Sequence, residues 1–143
     1  MPFQLPDKAT PFGERVAQRL QEEIIIWLTV VDSKGTPQPA PVWFWWDEQD
    51  QSILIYSKIN AKREAHIRAN PRVSLNFNGT KEGRDIIVLT GNAEFSNDPP
   101  AHQHQPFVEK YAALIKRSFG TAENFAQLYP VTLRIRPSSI RGF

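Results

Sequence analysis

The sequence predicts a mainly β protein, a six-stranded antiparallel barrel with helices at its periphery. Three observations carry that reading. Short runs of β-branched and bulky residues recur at 24–31, 52–57, 72–78, 85–95 and 131–136. Turn chemistry separates several of them, as in Asp32-Ser33-Lys34-Gly35, where glycine supplies the positive φ of a tight hairpin. Between the first two runs lies PQPAPVWFWW, residues 37–46, a strand written in prolines and aromatics.

The elements follow in order. Residues 12–23 place Val16 and Leu20 on one apolar face and predict a short helix. The strand at 24–31, the proline-rich strand and the strand at 52–57 follow as hairpins, the last two joined by the turn Asp47-Glu48-Gln49-Asp50. Asn60 is placed to cap a helix over 61–69, which Asn70-Pro71 ends. In the strand at 85–95, Gly91 marks a bulge or a close backbone approach. A helix over 107–118 ends at Gly120, and Thr121 caps a shorter one reaching Tyr129. The closing strand, 131–136, is expected to stop at Pro137.

The proline strand carries a topological message. Pro37, Pro39 and Pro41 all lack an N–H on the same edge, so that edge accepts hydrogen bonds there but donates none. Gln38, Ala40 and Val42 keep their donors on the other edge. The strand should therefore pair on one side and stay open on the other. Beyond it, Val42, Phe44 and Trp46 point one way, Trp43 and Trp45 the other. A segment apolar on both faces has something packed on each. One cover is its own core; the other is expected to be a large ligand, a second subunit, or both.

Composition narrows the class. The 143 residues are expected to form one domain over 1–143, and 22% charged with 41% apolar residues is the balance of a globular chain. The absence of cysteine excludes disulfides and thiolate chemistry. No apolar run approaches the roughly 20 residues of a membrane span and no signal-peptide core is visible near the start, so a soluble cytoplasmic protein is expected. A formal charge of +2 favours anionic ligands only slightly.

The chemistry concentrates at residues 56–63, YSKINAKR, where a strand hands over to a helix. The first-turn N–H groups of Ala61, Lys62 and Arg63 have no helical partner and the helix dipole adds partial positive charge. Ser57 adds a hydroxyl, and Lys58, Lys62 and Arg63 add full charges. That set suits a phosphate ester, although it lacks the glycines of a P-loop or dinucleotide fingerprint. The preceding hairpin sets this anion site beside the aromatic, open-edged strand. A flat heterocycle with a phosphate on a flexible arm fits the pair. His102 and His104 lie in a proline-flanked connection without a third ligand, so no metal site is expected. The aromatics are crowded into one strand rather than interleaved with Lys and Arg over a face, which argues against nucleic acid.

The segments WLTVVDSKGTPQPAPVWFWWDE, ILIYSKINAKREAHIRANPRVSLNF and DIIVLTGNAEF, in that order, resemble the pyridoxamine-5′-phosphate-oxidase-like split-barrel superfamily, and within it the flavin and deazaflavin oxidoreductases that use coenzyme F-420. The resemblance runs from about residue 12 to the C-terminus. It implies an FMN-binding split barrel, a homodimer with the cofactor at the subunit interface, and hydride transfer from coenzyme F-420, or alternatively FMN, to an unsaturated or quinone-like acceptor. A non-catalytic binder of a flavin-like or haem-like ligand is the other implied class. Carried over by position, the ring meets Pro41, Val42, Trp43 and Phe44. The phosphate meets Ser57, Lys58, Asn60, Ala61 and Lys62, and Asn76, with Arg84 or Trp27, lines the region shared with the partner. The C-terminal substrate residues of the pyridoxamine phosphate oxidases have no convincing counterpart, and no residue is marked as catalytic.

Overall fold

A computed structural model describes residues 3–143. Its strands are β1 (Ile26–Val31), β2 (Pro37–Val42), β3 (Trp45–Asp47), β4 (Ser52–Ser57), β5 (Arg72–Asn76), β6 (Ile87–Phe95) and β7 (Val131–Gly142). The helices are α1 (Pro11–Glu22), α2 (Lys62–Ala69), α3 (Gln105–Lys110), α4 (Ala112–Phe119) and α5 (Ala122–Leu128), with a short 3₁₀ turn over Ala101–Gln103. The seven strands form one antiparallel sheet in the order β2-β1-β5-β6-β7-β4-β3. The two terminal strands, β2 and β3, are consecutive in the chain and separated only by Trp43 and Phe44. Val42 and Trp45 are three residue steps apart, at most about 11 Å, so the ends of the sheet must curl toward each other. The result is a half-barrel with a slit where β2 and β3 part.

Seven strands replace the expected six because the proline-rich segment is two strands. It leaves β1 after Val42 and joins β4 at Trp45. The backbone at the break is held by side chains. The Tyr111 hydroxyl accepts the Phe44 N–H at 2.9 Å and donates to the Ile24 carbonyl at 2.7 Å, while Lys110 Nζ donates to the Phe44 carbonyl at 3.0 Å. Phe44 is thereby satisfied without a strand partner. β2 ladders only to β1, from Ile26↔Val42 to Val31↔Pro37, leaving its other edge open as the prolines require.

Other departures have local causes. The helix expected over 107–118 is divided at Tyr111, whose hydroxyl is committed to the break. Ala61, not Asn60, is the N-cap of α2, and Asn60 takes positive φ (60°) in the turn before it. β7 passes through Pro137 by pairing it with Gly91 at a register shift. A Cβ on Gly91 would lie 2.2 Å from the Arg136 carbonyl oxygen, so the strands approach there as only glycine allows. At the Asp32–Gly35 turn Gly35 has φ 81°, as expected.

Two cores result. Inside the curl, Leu28, Phe44, Ile53, Ile55, Leu75 and Leu89 are fully buried with their neighbours, sealed at one side by Val16 and Leu20 of α1. Outside it, Leu54 and Tyr56 of β4 are covered by Phe107, Tyr111, Ile115, Phe125 and Ala126 from α3–α5. An ion cluster fastens the outer edge: Arg134 of β7 holds Asp98 with two bonds (2.6 and 3.0 Å) and reaches Asp47 at 2.8 Å and Ser52 at 3.0 Å. Hydrogen bonding from Arg134 keeps the Asp98 carboxyl below its ordinary range. Among the described residues no helix is long and apolar enough to cross a membrane.

Candidate functional site

Where β2 ends, the aromatic helical layer does not close completely against the sheet. A cavity of about 430 Å³ remains. One wall is Pro41, Val42 and Trp43 at the end of the proline strand, and a second is Tyr56, Ser57 and Lys58 at the end of β4. Ala61 and Arg63 at the start of α2 form the floor of the polar side. Ser118, Phe119, Phe125 and Tyr129 of α4 and α5 form the far wall. Its size lies within the roughly 300–1,000 Å³ of small-molecule sites.

The aromatic wall is rigid. The Trp43 indole stacks on Tyr111 (centroids 4.5 Å, 10°) and on Phe125 (5.3 Å, 16°), with Phe119 edge-on at 6.0 Å. Trp43 and Trp45 are thus covered by this chain's own helices, which corrects the expectation that a ligand or second subunit alone would cover that face. The helices cannot cover it fully, because the cavity opens beside Trp43.

The polar side is cationic. Arg63 points back toward β4, its guanidinium 3.4 Å from the Ser57 hydroxyl, and burial pulls its pKa below the ordinary arginine value. Lys58 Nζ lies over the Tyr129 ring, 5.6 Å from its centroid. The Tyr56 hydroxyl is buried without a hydrogen-bond partner, and burial pushes its pKa up to about 12. It therefore remains a protonated donor at neutral pH.

A second depression of about 560 Å³ lies beside the cavity along the open edge of β2; the two share Ala61 and Arg63 in their walls. Lys34, Lys62, Arg63 and His66 line this groove with Gln38, Pro39 and Ala40. Its one carboxylate, Asp32, is occupied by its turn: Oδ1 accepts from the N–H of Lys34 and Thr36 (2.9 Å each) and Oδ2 from Gln38 Nε2 (3.0 Å). Those bonds, led by that from Thr36, hold its pKa below the ordinary range.

Of the residues singled out in the sequence, Pro41, Val42, Trp43, Ser57, Lys58 and Ala61 meet at the cavity. Lys62 lines the groove instead, and Arg63 takes the cavity position. Phe44 points into the sealed inner core. Asn60 is exposed, and its N–H donates to the Glu64 carboxylate at 3.2 Å, which sets a negative group at the turn where an anion was expected. Asn76 pairs with Trp27, itself opposite Pro41, so it lies two strands from Pro41 on the outer sheet face. Arg84 is exposed in the β5–β6 connection and lines neither depression. Reasoning along the sequence missed Phe119, Phe125 and Tyr129. The i, i+4 spacing of Phe125 and Tyr129 was the available signal, but the strand that those rings face is known only from the fold. His104 serves as a cap, its Nδ1 accepting the Phe107 N–H at 3.1 Å. Among the described residues no group of three His, Cys, Asp or Glu could hold a metal ion.

The family model for pyridoxamine 5′-phosphate oxidase matches residues 12–141. No curated protein matches the sequence significantly. Among solved structures, an F420 reductase superposes with TM-score 0.66 at 21% identity, covering 87% of this chain and 94% of its own. HutZ, a haem storage protein from Vibrio cholerae, gives 0.64 at 14% identity over 93% and 95%. An FAD-binding protein from Mesorhizobium loti gives 0.61 at 20% over 90% and 89%. At these identities the structures establish the shared fold, the split barrel.

Proposed function

We propose that this chain, which belongs to the pyridoxamine 5′-phosphate oxidase family, is an oxidoreductase using the deazaflavin coenzyme F-420 to pass a hydride to an unsaturated or quinone-like acceptor. The observation that carries the reading is that the two depressions are neighbours with Arg63 in the wall of both. An apolar, aromatic cavity suits a flat heterocycle, and a cationic groove leading away from it suits a long anionic arm. The cofactor, when bound, supplies the hydride chemistry itself. The chain's own residues do the rest. Pro41, Val42 and Trp43 orient the ring, and Ser57, Lys58 and Arg63 hold the phosphate beside Ala61. Lys62 and His66 meet the arm. Phe44 supports the ring-binding backbone from the core side, whereas Asn60 and Asn76 stand apart from the cavity.

In this reading the protein is one cytoplasmic domain acting as a homodimer that completes the cavity across the interface. The open β2 edge and the exposed apolar Ile59 and Leu128, next to the cavity residues Lys58 and Tyr129, support that arrangement. FMN is the second reading, because Ser57, Lys58 and Arg63 alone suffice for a single phosphate. Titration with each cofactor, followed by quenching of cofactor fluorescence, tests the proposal. Micromolar or tighter binding of coenzyme F-420, and oxidation of its reduced form by a quinone, are expected. Preference for FMN would move the assignment to the second reading. Binding without turnover of any acceptor would make the protein a carrier, and binding of neither would remove both readings.

A further inference from the structure

Tyr129 is held by two aromatic neighbours. Phe125 stacks on it from within the same helical segment (4.7 Å, 15°), and Phe119 meets it edge-on (5.8 Å, 88°). The Phe125 ring occupies one face of the phenol, so the ammonium of Lys58 covers the other, 5.6 Å from the ring centroid. Lys58 is itself exposed, and both residues line the cavity. A ring fixed from behind and capped only by a flexible, solvated lysine is a surface on which a second flat ring can settle with little rearrangement.

We infer that Tyr129 is the stacking platform for the ligand's planar, electron-poor ring, and that Lys58 is displaced from its face to meet the ligand's anionic arm. This deepens the proposed cofactor reading and rests on it. The two halves fit one ligand class: a heteroaromatic ring with an acidic group a few bonds away. Uncapping the phenol puts the Lys58 ammonium free beside Ser57 and Arg63, where such a group would lie. Trp43 lines the same cavity but is already engaged by Tyr111 and Phe125, so it bounds the ring rather than serving as the platform.

The wild-type protein gives the first test. Of its three tyrosines, Tyr56 and Tyr111 are buried (6% and 0% exposed) and Tyr129 is half-buried, so tetranitromethane should nitrate Tyr129 selectively. Saturating coenzyme F-420 or FMN should suppress that nitration at least fivefold. Unchanged nitration with the cofactor bound overturns the inference while leaving the cofactor reading intact. If neither cofactor binds the wild type, both fall. In the second test, Tyr129→Leu should raise the dissociation constant about tenfold and restore emission of the bound flavin, with Tyr129→Phe within about twofold of wild type. Thermal melts of both variants verify folding. Wild-type affinity and quenching in Tyr129→Leu would contradict the platform.

Discussion

The two sides of residues 42–46 are covered in opposite manners. Val42, Phe44 and Trp46 face an interior closed mainly by aliphatic side chains from the other strands of the curl. Trp43 and Trp45 face a layer built of Phe107, Tyr111, Phe119, Phe125 and Tyr129. Branched aliphatic side chains interdigitate and leave little space. Large flat rings on three short helices pack only in particular orientations, and where those orientations cannot be met a gap remains. The inner side is thus closed, and the outer side keeps the cavity.

That contrast can be broken at single residues. Phe44→Ala should have the largest effect, about 3–5 kcal/mol of stability by urea unfolding, since Phe44 is fully buried. If the variant folds, its cofactor affinity should change little. Arg63→Ala should do the reverse. It leaves the melting temperature near wild type and weakens cofactor binding by about 1.5–3 kcal/mol, through loss of charge-assisted bonds. A large fall in stability without a change in affinity would make Arg63 a structural residue. Lys62→Ala should cost coenzyme F-420 only about 0.5–1 kcal/mol by isothermal titration and FMN less, because Lys62 is exposed and lines the groove rather than the cavity.

A further effect is one of pH. Burial brings the Lys110 amine down to about 8 despite the opposing pull of Glu23. Between that value and the ordinary lysine value of 10.5 the unfolded chain binds a proton that the folded chain has released, so stability should rise with pH across this window. Urea midpoints of wild type should therefore climb relative to Lys110→Met from pH 8 toward 10.5. Parallel pH curves would show that Lys110 keeps its proton at the Phe44 carbonyl.

Much of the fold was legible along the chain. Alternate prolines specified the open edge, Gly91 the close approach to β7, and Gly35 the hairpin turn, because each depends on backbone chemistry of one or two residues. What was not legible depended on distant partners. The break at Trp43 and Phe44 is stabilised by Tyr111 and Lys110, more than 60 positions away, which no local pattern announces. The exchange of Lys62 for Arg63 has a similar origin. Both are cations at the start of one helix, and only the direction in which α2 leaves β4 decides which faces the cavity. The Glu64 carboxylate at the Asn60 N–H likewise leads the proposed reading to place the anion among side chains rather than at the helix terminus.

A crystal structure of the protein with coenzyme F-420 bears most directly on this account. The deazaflavin should occupy the gap bounded by Pro41, Trp43 and Tyr129, with its anionic arm passing Arg63 toward Lys62 and His66. A ring seated instead on the open sheet face around Trp27 and Asn76, with the gap filled only by solvent, would contradict it.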